Sequence, residues 1–97
     1  MAITLEDRIE IPDTVVFRDL DGEAVILNLE SSTYFGLDPV GTRMWTLLSE
    51  HGQLSKVLEL LQQEYDVDSE RLSGDLLQLT GRFCERGLAR VVSPKTV

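Results

Sequence analysis

The hydrophobic pattern of this chain changes character at Asp38-Pro39, and that junction constrains the fold more than any other feature. Upstream, in GEAVILNLESSTYFGL from Gly22, Val25, Leu27 and Leu29 stand on one face of an alternating strand, and a short aromatic strand, Thr33 to Leu37, follows the turn Glu30-Ser31-Ser32. Downstream, Val40, Met44, Leu47 and Leu48 recur at helical spacing, with Trp45 beside them. Aspartate accepts hydrogen bonds from the first helical N–H groups, and proline at the first helical position gives up an N–H that has no partner there anyway. Strands therefore precede the junction and helices follow it, the order of an α+β domain.

The remaining elements are read from turn and cap signals. Val15 to Arg18 is strand-like, and Asp21-Gly22 is a hairpin turn in which both residues tolerate positive φ. These two strands and Thr33 to Leu37 form an antiparallel meander. The first helix runs from about Pro39 to Glu50 and ends at Gly52. The second carries Leu54, Val57, Leu58, Leu61 and Tyr65 on one face. Asp68 caps a third, about Ser69 to Arg86, which stops at Gly87 and has Leu72, Leu76, Leu79 and Phe83 as its core stripe. Leu88 to Val92 reads as a closing strand, Ser93 to Val97 as a loose tail, and the residues before Pro12 as an arm or an extra strand around Ile9 and Ile11. The expectation is one domain over residues 1–97, with its core at about 13–92: a three-stranded antiparallel sheet packed on three helices, with a helical half that resembles a winged helix.

Charge and chemistry narrow the function. The net charge is −8 in 97 residues, with nine scattered cations, so phosphate backbones and anionic lipid are repelled. No apolar run reaches membrane-spanning length. One cysteine, Cys84, precludes an intrachain disulfide and agrees with a reducing cytoplasm. His51 is the only histidine and stands near a helix end, where a cation suits the dipole. Cys84 has no CxxC companion, and no calcium-loop or phosphate-loop spacing is present. No catalytic residue, metal site or cofactor is expected. Gly74 and Gly81 on the outer face of the third helix are costly there, which simple tolerance or a closely approaching partner would explain.

What remains is a strand edge. Tyr34 and Phe35 are adjacent and point to opposite faces, one toward the core. An edge strand carries unpaired backbone groups on which a second chain can add a strand.

Leu27-Asn28-Leu29, Thr33 to Gly41 and Met44 to Leu48, followed by Tyr65 to Asp68, Asp75-Leu76-Leu77 and Arg86-Gly87-Leu88, together resemble the PqqD-like proteins, and in particular the stand-alone recognition proteins of lasso-peptide biosynthesis. The resemblance covers about residues 13 to 92. It implies a non-catalytic protein that binds the leader segment of a ribosomally made precursor peptide and presents it to a partner peptidase or modifying enzyme. It also implies that the leader adds a strand at Ser32, Thr33, Tyr34 and Phe35, against a helix wall of Asp75, Leu76, Leu79 and Arg82 with Arg71 above. Leu77 marks the alternative wall. In this reading Leu76 and Leu79 form apolar pockets, Asp75 meets a leader cation, and Arg82 meets a leader carboxylate. Two other readings stand beside it: a winged-helix transcription regulator, disfavoured by the mixed charge of the third helix, and a structural subunit that pairs its edge with itself. The protein is expected to be a cytoplasmic monomer or dimer.

Overall fold

A computed structural model describes residues 3–92; the proposed loose tail, Ser93 to Val97, lies outside the described residues. The elements run β1 (Arg8–Glu10), β2 (Val15–Leu20), β3 (Glu23–Asn28), β4 (Thr33–Gly36), α1 (Pro39–His51), α2 (Leu54–Glu64), α3 (Ser69–Glu85) and β5 (Arg90–Val92). β2, β3 and β4 form the expected antiparallel meander in that order, with Ile26 opposite both Phe17 and Phe35. The architecture is α+β, three helices with a three-stranded sheet. Asp21 and Gly22 both take positive φ, 63° and 91°, as a tight β2–β3 turn that follows the right-handed strand twist requires.

The N-terminal segment resolves into a strand rather than a free arm. β1 pairs antiparallel with β5, Ile9 opposite Val91, in a separate two-stranded sheet. Ile9 is buried and donates its N–H to the Gly52 carbonyl at 2.7 Å, while Leu54 donates to the Asp7 carbonyl at 3.2 Å. The arm thus ties down the α1–α2 connection. Gly52 is fitted to this place by its φ of 75° and by the Ile9 carbonyl oxygen, which would lie 3.0 Å from any Cβ there.

The buried face of β3 differs from the most hydrophobic one. Ala24, Ile26 and Asn28 face the helices, whereas Val25 and Leu29 are exposed. Ala24 allows close approach to α1: its backbone N–H donates to the buried Thr42 hydroxyl oxygen at 2.8 Å. Asn28 is inside because its side chain clips two turns. Its Nδ2 donates to the Gly87 carbonyl at 2.9 Å, and its Oδ1 accepts from the Glu30 N–H at 2.9 Å. A smaller inner face and a satisfied amide outweigh the area that Val25 and Leu29 would bury.

The helix stripes are largely as expected, with two shifts. Val40 is exposed at the start of α1, and on α3 the fully buried positions are Leu76, Thr80 and Phe83, with Leu72 close behind and Leu79 half-buried. Thr80 is admitted to the core because its hydroxyl donates to the Leu76 carbonyl at 2.7 Å. Asp38 caps α1 by accepting from the Gly41 N–H at 2.7 Å, whereas Asp68 precedes α3 without a side-chain cap bond.

Arg43 of α1 and Glu64 of α2 form a bidentate pair, with nitrogen–oxygen distances of 2.8 and 2.7 Å. The Arg43 hydrogen bonds hold the Glu64 carboxyl below the usual carboxylate range. A carboxyl whose pKa is depressed by folding stabilises the native state above its unfolded pKa, and that contribution is lost as pH falls through the folded value. Glu64→Gln should therefore lower stability at neutral pH by less than about 1 kcal/mol, because the pair is exposed, and the difference from wild type should vanish as pH falls below the carboxylate range in urea titrations. Thr42→Val should cost more, about 1–3 kcal/mol by the same titration, since it leaves the buried Ala24 N–H without an acceptor.

Candidate functional site

β4 is an edge: it pairs with β3 on one side and, among the described residues, with no strand on the other. The direction of its backbone groups follows from the register. The Leu37 N–H donates to the Ala24 carbonyl at 2.8 Å, so Leu37 and Phe35 direct their backbone groups toward β3. Pleat alternation then leaves the N–H and C=O of Tyr34 and Gly36 aimed outward, available to a further strand.

The same alternation divides the aromatic pair. Tyr34 stands on the outer face of the sheet and is 70% exposed. Phe35 turns toward the helices and meets the ring of Phe83 edge-on, with centroids 5.6 Å apart and planes at 77°. The Arg86 guanidinium carbon lies over the Phe35 ring, 5.6 Å from its centroid. Phe83 in turn packs edge-on against Trp45 at 5.1 Å and 85°. Three aromatic rings from β4, α3 and α1 thereby fix the spacing between the strand edge and the helices.

Beside this edge lies a cleft of about 480 Å³. Phe35, Gly36 and Leu37 form one wall, Val40, Gly41 and Met44 of α1 form the end, and Asp75, Gln78, Leu79 and Arg82 of α3 form the other wall. The groove flank of α3 is therefore the one bearing Asp75 and Arg82; Leu77 lies elsewhere, half-buried. Of the residues singled out from the sequence, Phe35, Asp75, Leu79 and Arg82 come together here. Ser32 and Thr33 lie at the start of the edge, Ser32 at a φ of 60° in the turn. Arg71 is exposed and not on the cleft wall; its Nε is 4.0 Å from the Asp75 carboxylate.

Leu76 requires a correction. It is fully buried in the core, so its side chain offers no pocket surface. One helix position cannot face both the core and the groove, and the residue one turn further round, Leu79, takes the groove place. Met44, Val40 and Gly41 were missed because they belong to the helix after the strand, and only the packing of α1 against α3 brings them to the cleft. A hint was present in Asp38-Pro39, which starts α1 right at the end of the edge strand.

The chemical groups elsewhere are unassembled. His51 is half-buried, with its Nε2 3.8 Å from a Glu50 oxygen. Burial pushes the Cys84 thiol above its ordinary pKa, which disfavours the nucleophilic thiolate. No group of three or more metal-ligating side chains comes together among the described residues. No helix among them is long and apolar enough to cross a membrane. At Gly74 and Gly81 an added Cβ would meet nothing within 4 Å, so neither glycine is required by packing within this chain.

A known family and known structures resemble this chain over most of its length. No curated protein matches the sequence. Among solved structures, the chain is similar to TbiB1 in complex with the TbiA(beta) leader peptide, with 36% identity and a TM-score of 0.79 over 84% of this chain and 94% of that one. It also shares its fold with a lasso peptide synthetase B1 complexed with the leader peptide, at 20% identity and a TM-score of 0.75, covering 86% of this chain and 98% of that one. The family model for coenzyme PQQ synthesis protein D (PqqD) matches residues 23–89, from the start of β3 to the residue before β5, and the chain belongs to the PqqD family.

Proposed function

We propose that this protein is a non-catalytic binding protein that captures the leader segment of a ribosomally synthesised precursor peptide and presents it to a modifying enzyme or leader peptidase in the cytoplasm. The observation that carries the reading is the free edge of β4 lying alongside a cleft whose far wall is α3. Support comes from TbiB1, similar over most of both chains, which was solved with a leader peptide.

The physics of the site suits capture better than catalysis. A peptide laid along β4 satisfies the outward N–H and C=O of Tyr34 and Gly36, a contribution nearly independent of its sequence. Its side chains on the helix-facing side then enter the cleft between Phe35 and Leu79, and selection happens there. Ser32 and Thr33 receive the end of the added strand, Asp75 offers a carboxylate to a leader cation, and Arg71 limits that charge by its own proximity. The regulator reading finds no support on α3, whose exposed charged residues Glu70, Arg71, Asp75, Arg82 and Glu85, with Arg86 just beyond, mix both signs.

The test is a backbone one. Tyr34→Pro deletes an outward N–H and leaves the β3–β4 ladder intact, because proline is tolerated on the open side of an edge strand. Tyr34→Ala removes the same side chain and keeps the N–H. With a fluorescent TbiA(beta) leader peptide as probe, Tyr34→Pro should weaken binding about tenfold or more relative to Tyr34→Ala, the loss of one or more hydrogen bonds that have no substitute. Equal affinities for the two variants, both folded by circular dichroism, would sink strand addition at this edge.

A further inference from the structure

The cleft is electrically polar along its length. α3 runs antiparallel to β4: Asp75, Leu79 and Arg82 face the end of β4 and α1, while Glu85 and Arg86 line a neighbouring depression with Ser31 and Thr33. A strand laid along β4 from Gly36 back to Thr33 would therefore pass Asp75, then Leu79, then Arg82 and Arg86.

Those two arginines differ from most other cations in the molecule. Arg43, Lys56, Arg71 and Arg90 each have a carboxylate within 4.0 Å. Among the described residues, Arg8, Arg18, Arg82 and Arg86 have no ion pair and donate no side-chain hydrogen bond, although the chain carries 17 acidic residues, and of these four only Arg82 and Arg86 stand beside Phe35 and the cleft. Arg82 stands in the last turn of α3, and Arg86 caps the C-terminus of that helix four residues on. The Arg86 guanidinium carbon lies over the Phe35 ring, 5.6 Å from its centroid, which places the cation against the side chain that borders the cleft. In a protein of net charge −8, two cations kept without partners at the lip of a cleft are a local reversal of the surrounding field. The reversal is bounded. Asp75 carries negative charge at the α1 end, and Asp13, Glu30 and Glu85 line the depression beyond Thr33 without pairing to either arginine.

We propose that the cleft selects a peptide strand bearing an Asp or Glu side chain on its helix-facing side beside Phe35, held between Arg82 and Arg86, with an apolar side chain two residues away over Leu79 and Met44. The inference rests on strand addition at β4 and specifies the chemical class of leader that the site accepts. The spacing follows from geometry: helix-facing side chains recur every second residue of the added strand, at about 6.8 Å, close to the roughly 7.5 Å rise along the α3 axis from Leu79 to the midpoint of Arg82 and Arg86. A carboxylate placed further along, beyond Thr33, would meet Asp13, Glu30 and Glu85 around an Arg90 already paired with Glu10, so the favoured acidic position is the one beside Phe35.

The experiment selects random peptides displayed on phage against the full-length protein and removes those that still bind Tyr34→Pro, which leaves edge-dependent binders. These should be enriched in Asp or Glu at a single position, two residues from an apolar side chain. In the best such peptide, synthesised and labelled, exchanging the acid for its amide should weaken binding roughly five- to tenfold, as for a charge-assisted hydrogen bond on a partly open surface. Arg82→Glu and Arg86→Gln should each reproduce that loss, and a lysine in the acidic position should recover affinity for Arg82→Glu. Edge-dependent binders without acidic enrichment, or binders indifferent to the amide and to both arginine variants, overturn the charge selection and leave strand addition standing. If no edge-dependent binder emerges, both readings fall together.

Discussion

Phe83 is the side chain on which the binding face depends. It is fully buried on α3 and receives two aromatic partners edge-on, Phe35 from β4 and Trp45 from α1. Edge-to-face pairs add roughly 0.5–1.5 kcal/mol each beyond the area they bury, but their larger consequence here is positional. A strand edge is useful to a guest only if the wall beside it stands at a fixed distance. Phe83 sets that distance for β4 and α3 together, while Trp45 brings α1, and with it Met44 and Val40, to close the end of the cleft. The site is therefore an extension of the core: Phe35 has one edge in the packing and one side on the cleft.

In the proposed mode of binding, two kinds of recognition fall to different residues. Backbone groups at Tyr34 and Gly36 offer pairing that any extended peptide can satisfy, whereas Phe35, Leu79, Arg82 and Arg86 offer shape and charge. Holding these functions on a strand and a helix, both anchored by Phe83, costs little ordering on binding because each element is already fixed. The acidic character of the whole chain works in the same direction. It discourages non-specific association with polyanions, and it leaves a small cationic lip as the place where a carboxylate finds a favourable field.

Much of this fold was legible because its boundaries are written in local chemistry. Asp21-Gly22 adopts the positive φ values its turn needs, Asp38 caps α1 as an aspartate before proline should, and Gly52 and Gly87 end helices in the left-handed region. Those signals involve neighbours in sequence and are set by sterics and caps. The pairing of β1 with β5 was not so written: it joins Arg8 to Val92, and a three-residue strand carries no signature of a partner so distant. The orientation of β3 went against the gradient of hydrophobicity, because Asn28 and Ala24 are held inside by hydrogen bonds to Gly87, Glu30 and Thr42 that exist only once the helices have docked.

The candidate site was legible to the same extent and for the same reason. The edge at Thr33 to Phe35 follows from the end of the strand pattern and the helix start at Asp38, both local. The wall did not follow, because a helical wheel places Leu76 and Leu79 within one apolar stripe and only packing decides that Leu76 fills the core while Leu79 borders the cleft. Arg86 shows the limit most clearly. As a sequence feature it is a cation at a helix end, where it suits the dipole. Placed over the Phe35 ring it borders the cleft, and nothing in its own neighbourhood along the chain distinguishes the two roles. The proposed site lies between β4 and α3, elements more than thirty residues apart, so its residues are knowable only after the core that joins those elements has been placed.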